Sequence, residues 1–293
     1  MTGAVIPGTE KVEAALLDAT RALGRTMEYH EARLQAELLL AYALETTRAQ
    51  LLARLGEPIL PETSARYAAN VARRAQHEPL AYILGHQEFC GLDFLVDRRV
   101  LIPRHETETL VELALQAARG IGNASPVIVD VGTGSGAIAL VLAHRLPQAQ
   151  VFATDISFDA LAVAQMNAAR LRVETRVKFQ QGNLIEPIPV PFDLLVSNLP
   201  YIPTGRYDRL PVEVRAFEPR LALDGGADGF GLVRLLLTQV NARAPRGGSV
   251  FLEISEEQGK VAVELAQQVL PKARVMLHQD LEGLDRVVEI GKL

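Results

Sequence analysis

Four short stretches of the chain combine residue types and spacings that suit chemistry on a nucleotide-like ligand. The first is Asp130-Val131-Gly132-Thr133-Gly134-Ser135-Gly136-Ala137. Its glycines allow a sharp turn and a close approach of ligand to backbone, and a helix that follows would offer the positive end of its dipole to a carboxylate or phosphate. Gly132, Gly134 and Ala137 also satisfy the dinucleotide pattern G-x-G-x-x-G/A. The second stretch ends in Asp155, an acid placed to accept from both hydroxyls of a ribose, whether of NAD or of S-adenosylmethionine. The third is Gln181-Gly182-Asn183-Leu184, in which Asn183 can bond an adenine edge and Leu184 can pack on its face. The fourth is Asn198-Leu199-Pro200-Tyr201. It sets an amide oxygen, a main-chain carbonyl and an aromatic face together. Two acceptors converging on one NH2 group suit a planar nitrogen nucleophile, and Tyr201 can pack on the plane. Hydride transfer has no use for that arrangement.

The elements that must position these stretches alternate. Strands are expected at 127–131, 150–154, 177–180, 193–197, 249–254, 274–277 and 286–290. Helical periodicity fills most of the gaps, at 107–119, 137–145, 158–171, 231–242 and 256–269. Apolar strands alternating with helices predict an α/β fold with a mainly parallel, doubly wound sheet, in which ligands sit beyond the carboxyl ends of the strands. All four stretches fall at such ends. Residues 10–84 carry helical patterns only, at 11–23, at 31–44 with Leu34, Leu38, Ala41 and Tyr42 on one face, and from Pro61 through Arg74. Residues 85–102 hold two short runs, 87–90 and 93–96, about Gly91, the pattern of a β-hairpin or extended connector. The expected division is a helical domain at 1–84, a hairpin linker at 85–102 and a catalytic domain at 103–293.

The chain resembles the HemK/PrmC family of S-adenosylmethionine-dependent methyltransferases, which modify a glutamine side chain at N5. The residues that carry the resemblance are Tyr82–His86, Phe94–Asp97, Val100–Arg104, Glu106-Thr107, Asp130–Gly136, Ala153–Ser157, Asn198–Tyr201, Phe217–Arg220 and Asp285–Val288. It implies a seven-stranded Rossmann-like methyltransferase sheet, a helical N-terminal domain for substrate recognition and a hairpin between them. It also implies that Gly132, Thr133, Gly134, Ser135 and Gly136 surround the methionine part of the cofactor. Asp155 is then expected on the ribose, Asn183 and Leu184 on the adenine, and Asn198 at the cofactor as well as at the substrate. Asn198 and the Leu199 carbonyl are expected to grip the glutamine amide, with Pro200 and Tyr201 shaping its slot. The implied substrate is the glutamine of the Gly-Gly-Gln loop in class I peptide-chain release factors; a sister group modifies a large-subunit ribosomal protein. Two departures stand out. Leu199 replaces the first proline of Asn-Pro-Pro-Tyr, keeping the carbonyl but releasing the fixed φ. His105 replaces a proline in the segment Pro103–Thr107 and reads as a tolerated loop substitution.

Composition narrows the alternatives. Apolar residues make up 48% of 293 and charged residues 22%, an ordinary globular balance. The longest apolar run, residues 137–143, is far short of the roughly 18 residues of a membrane helix. The first residues show no basic region followed by an apolar core, so a cytoplasmic chain with no membrane segment is expected. One cysteine, Cys90, excludes an internal disulfide framework, and six scattered histidines show no metal-ligand spacing. The net charge of −5 and the absence of a basic stripe speak against direct nucleic-acid binding, and a monomer is expected. A DNA adenine N6-methyltransferase, a nicotinamide oxidoreductase and a non-catalytic binding module stay open as other readings of the same residues.

Overall fold

The strands at the centre of the chain are apolar at nearly every position, and the computed structural model shows why. It describes residues 10–189, 191–243 and 248–291; the first nine residues, on which the expectation of no leader rests in part, lie outside them. The chain divides into two compact units, one ending at Gly85 and one starting at His86.

The first unit is helical: α1 (Val12–Leu23), α2 (Tyr29–Ala43), α3 (Arg48–Leu52), α4 (Pro61–Ala75) and α5 (Leu80–Leu84). Pro61 opens α4 at a position where its missing N–H costs nothing. Thr47 and Gln50 form a reciprocal capping box on α3. Leu16, Leu23, Leu39, Leu40 and Leu51 are fully buried in the core of this unit. The face expected of α2 is only partly the buried one. Ala41 is buried and Leu38 half-buried, but Leu34 and Tyr42 are exposed, and Ala32, Ala36, Leu39, Leu40 and Ala43 point inward with Gln35 and Glu37. Leu and Ala occur all round α2, so hydrophobicity alone does not select a stripe. Polar partners do: Arg33 and Arg48, themselves partly exposed, donate to the buried Glu37 at 2.6 and 2.7 Å, and Arg74 donates to Gln35. The two arginines hold the Glu37 carboxyl below its usual range against the opposing effect of burial.

The second unit opens with a hairpin, β1 (His86–Phe89) and β2 (Leu92–Leu95), one residue earlier than expected. It is packed rather than free. Phe89 and Phe94 meet edge to face at 6.1 Å and are fully buried in the same core as α6 (Thr107–Gly120) and α7 (Ala137–Arg145). Seven strands follow: β3 (Val127–Val131), β4 (Gln150–Asp155), β5 (Val177–Gln181), β6 (Leu194–Ser197), β7 (Ser249–Glu253), β8 (Arg274–Gln279) and β9 (Asp285–Gly291). Their spatial order is β5-β4-β3-β6-β7-β9-β8. The first five run parallel; β9 is antiparallel to both β7 and β8. Successive residues face opposite layers. Ile128 packs with α6 and α7, and Val129 packs with α10 (Gly231–Arg243) and α11 (Gly259–Val269). Both faces are therefore covered, which is why alternation is absent from these strands. α8 (Phe158–Arg170) starts at Ser157, whose side chain accepts from the Ala160 N–H, and α9 (Val212–Phe217) is a short helix the periodicity did not reveal. Several boundaries differ from expectation by a few residues. β4 and β5 each run one residue further, β8 runs two further, and α11 starts at Gly259 rather than at 256. The Gln258 side chain accepts from the Ser255 N–H and donates to the Tyr201 carbonyl, which holds residues 255–258 as a turn.

Strand order reverses between β3 and β6, where Val131 pairs with Ser197. Gly132 and Asn198 are the next residue on each strand, so the glycine loop and the Asn-x-Pro-Tyr stretch meet at the switch point.

Candidate active site

A cleft opens beyond the carboxyl ends of β3, β4, β5 and β6. Its walls include Gly132, Gly134, Asp155, Asn183, Leu184, Asn198, Leu199 and Pro200. The cleft holds about 890 Å³ of empty space, its open mouth included, within the size range of nucleotide-like ligands. Thr133, Ser135 and Gly136 do not line it. Thr133 Oγ1 donates to Asp130 at 2.7 Å, the Ser135 carbonyl accepts from Asn167, and Gly136 caps α7 with φ 83°. Arg99, Val100, Leu101, Ile156, Leu221 and Leu232 are among the other residues of the walls. Sequence reading missed them because they come from irregular segments and a helix start with no pattern pointing at a ligand.

The loop itself spends its donors internally. The Gly132 and Thr133 N–H groups both donate to the Thr154 carbonyl at 2.9 Å, and the Gly134 N–H donates to Asp155 Oδ2 at 2.9 Å. One donor at the N-terminus of α7, expected to serve a ligand, is already taken by the protein: Asp130 accepts from the Ala139 N–H at 3.1 Å. Burial pushes the Asp130 carboxyl up to about 7, and its Oδ1 is buried without a partner among the described residues. A buried acceptor left open beside the cleft is what a cofactor ammonium or its water would satisfy. Asp155 accepts from the Ser157 N–H through Oδ1 and from Gly134 through Oδ2, each at 2.9 Å. Each oxygen keeps a lone pair for a ribose hydroxyl. Burial also raises the Asp155 carboxyl. Apolar walls at Leu184, Ile156 and Leu232 suit a base, so the residues present fit S-adenosylmethionine.

A second, smaller pocket adjoins the first and shares Leu101, Asn198, Pro200 and Ala222 with it. Tyr201, Arg104, Ile202, Leu210 and Val214 line the rest. Asn198 and Pro200 thus stand at the junction of two compartments. Arg104 is held by Glu218, which also accepts from the Ile102 N–H at 3.2 Å. Burial raises the Glu218 carboxyl against the pull of Arg104. His105 is exposed on the first turn before α6, with Glu108 3.5 Å away. Among the described residues no group of histidine, cysteine and acidic side chains gathers as a metal site.

Fold and cleft together place the chain among the S-adenosylmethionine-dependent methyltransferases of the seven-stranded type. The comparisons carry this further. Residues 14–85 match the PrmC N-terminal domain, and residues 107–213 match the methyltransferase small domain. A "Release factor glutamine methyltransferase" of Moorella thermoacetica is 47% identical over 87% of this chain and 89% of its own. One of Geobacter sulfurreducens is 43% identical over 96% and 98%. A crystal structure of a methyltransferase from Pyrococcus furiosus superposes with a TM-score of 0.51 at 19% identity, covering 77% of this chain and 98% of that one, and supports the fold. The chain belongs to the release factor glutamine methyltransferase family. Membership favours methyl transfer over the nicotinamide and binding-module readings.

Proposed function

We propose that the chain methylates N5 of the glutamine in the Gly-Gly-Gln loop of class I peptide-chain release factors. The observation that carries this is the junction at Asn198 and Pro200, where a nucleotide-sized cleft meets a second pocket walled by Tyr201 and Arg104. The names of the relatives supply the substrate class. When bound, S-adenosylmethionine supplies an electrophilic methyl group. Gly132 and Gly134 would hold its methionine part, with Asp130 behind them; Asp155 would take the ribose, and Asn183 with Leu184 the adenine. Thr133, Ser135 and Gly136 act behind them, shaping the loop. Asn198 Oδ1 and the Leu199 carbonyl accept the two N–H bonds of the glutamine amide. They hold the nitrogen at the junction and stabilise positive charge as it develops there, the cationic counterpart of an oxyanion hole. Holding both reactants in line supplies several kcal/mol of the acceleration, on the order of other well-oriented reactions. No strong base is required, because the nitrogen becomes acidic only as it alkylates. Pro200 and Tyr201 form the walls of the slot.

We read the protein as a cytoplasmic monomer that recognises protein rather than nucleic acid. The net charge of −5 accords with that, and no described helix is long and apolar enough to cross a membrane. The test is label transfer from S-adenosylmethionine to a class I release factor, its Gln→Ala loop variant and duplex DNA. Label on the native factor alone is the expected result. Label on DNA, or equal label on the loop variant, overturns the reading. Asn198→Ala is expected to lose transfer by about a hundred-fold, the scale of one charge-stabilising contact, and far less of its cofactor affinity.

A further inference from the structure

Asn198 serves an incoming amide only if its oxygen, not its nitrogen, faces the substrate. The two ends of a side-chain amide have nearly the same shape and differ in hydrogen-bonding sense alone. Something must therefore decide which end points where. Asn198 Nδ2 donates to Thr107 Oγ1 at 3.1 Å. Thr107 is the first residue of α6 and is buried. A hydroxyl that accepts from an amide still has one hydrogen to give. Beside it is Glu253, the last residue of β7. Ser197 pairs with Leu252 across β6 and β7, so Asn198 and Glu253 stand next to each other one step beyond the ladder. Glu253 is 3% exposed, its Oε2 is buried without a partner among the described residues, and the Thr107 hydroxyl and the Asn198 amide face its carboxyl and lower it against burial.

We propose, on the basis of the methyl-transfer reading above, that Glu253 and Thr107 are positioning residues that fix the amide polarity of Asn198. An ionised carboxylate only accepts, so the Thr107 hydroxyl turns its hydrogen toward Glu253 and its lone pairs toward Asn198 Nδ2. Asn198 Oδ1 is then the end left for the substrate. The hydrogen bonds run in one direction, set by the carboxylate at their end. Protonation removes the directing influence, because a neutral carboxyl can donate to Thr107 and let the hydroxyl present its hydrogen to a flipped Asn198. Burial pushes Glu253 up to about 7, so this change falls in the neutral range. The charged and titratable groups that face it are Glu106 ahead of α6, Arg286 on β9 and Tyr201 beyond β6. Glu106 raises the carboxyl further and Arg286 lowers it. Arg286 is itself tied to Asp280 at 3.0 Å.

Two measurements test the proposal. In the first, kcat on a release factor is followed across the neutral range. The wild-type rate falls as pH drops through about 7, and Glu253→Gln flattens that acid limb. Thr107→Val lowers kcat by about ten-fold, with cofactor affinity held within about two-fold, and Thr107→Ser restores most of the loss. In the second, which needs no turnover, side-chain amide exchange of Asn198 is read by ¹⁵N NMR. Its protons are protected in the wild type and in Thr107→Ser, and markedly less protected in Thr107→Val. Full kcat in Thr107→Val, an acid limb that survives in Glu253→Gln, or equal exchange in wild type and Thr107→Val would each overturn the proposal. A wild-type chain that leaves release factors unlabelled sinks the functional reading instead, and the exchange measurement still decides the polarity.

Discussion

Two glycines of the same loop separate stability from function, and alanine at each gives opposite outcomes. Gly132 and Gly136 both have positive φ, +74° and +83°, a conformation that costs an L residue about 1–2 kcal/mol. At Gly136 an added Cβ would lie 2.9 Å from Leu140 Cδ1 and 3.1 Å from Ala164 Cβ. The Ala164 methyl is fixed to α8 and cannot rotate away, so overpacking adds about 1–3 kcal/mol. Gly136→Ala is expected to cost roughly 2–5 kcal/mol in all, and to lower Tm by about 5–15 °C. At Gly132 the tight neighbour is Leu199 Cδ2 at 3.1 Å, the far end of a side chain that can shift. The expected stability cost there is only about 1–2 kcal/mol. Yet the residue that must yield carries the carbonyl assigned to the substrate amide. Gly132→Ala should therefore fold well and lose most of its methyl transfer; Gly136→Ala should unfold early and keep its specific activity at low temperature. Thermal unfolding and label transfer on the same preparations give both numbers. Gly132→Ala melting as low as Gly136→Ala, or transferring methyl at the wild-type rate, would refute the reasoning.

Other perturbations give equally direct readings. Burial raises Asp130 and Glu253 to about 7 from 3.8 and 4.5. The folded chain thus holds protons that the unfolded chain releases, and stability falls as pH rises from the ordinary carboxylate range to about 7, levelling off above it. Tm against pH should show that slope, and Glu253→Gln should flatten it; a slope unchanged by the substitution counts against the assignment. Leu199→Pro retains the carbonyl, so turnover should stay within about three-fold, while loss of a side chain only 5% exposed should cost about 1–2 kcal/mol in chemical denaturation. Glu218→Ala leaves the Ile102 N–H and Arg104 without their acceptor. Steady-state kinetics should show KM for the protein substrate rising more than kcat falls, with about 1–3 kcal/mol of lost stability.

The sheet was legible because its strands are apolar runs closed by Gly, Asp or Asn, and such runs admit one reading when helices separate them. Site residues at strand ends were legible for the same reason: topology sends Gly132, Asp155, Asn183 and Asn198 to one edge. What the sequence hid arrives from irregular chain. Arg99 and Leu101 sit in a segment read as linker, yet both line the cleft. Leu221 follows a Pro-Arg pair with no periodicity at all. Glu253 did leave a signal, a lone acid inside the apolar run Val-Phe-Leu-Glu-Ile. That signal shows its meaning only beside Asn198, and the pairing of β6 with β7 is a fact of register rather than of composition. The face of α2 was hidden because ion pairs decided it.

Asn167 joins two parts of the second unit that are otherwise remote in sequence. Fully buried in α8, it accepts from the Leu95 N–H, donates to the Leu95 carbonyl and donates to the Ser135 carbonyl, at 2.7, 3.0 and 2.9 Å. One amide therefore cross-links the hairpin to the glycine loop. Their opening is expected to be coupled: fraying of the hairpin at Leu95 would loosen the amide that holds the Ser135 peptide, and a ligand that braces the loop would brace the hairpin. In hydrogen exchange the Leu95 amide becomes a remote gauge of cofactor occupancy, slowing as the cleft fills although it is no part of its walls.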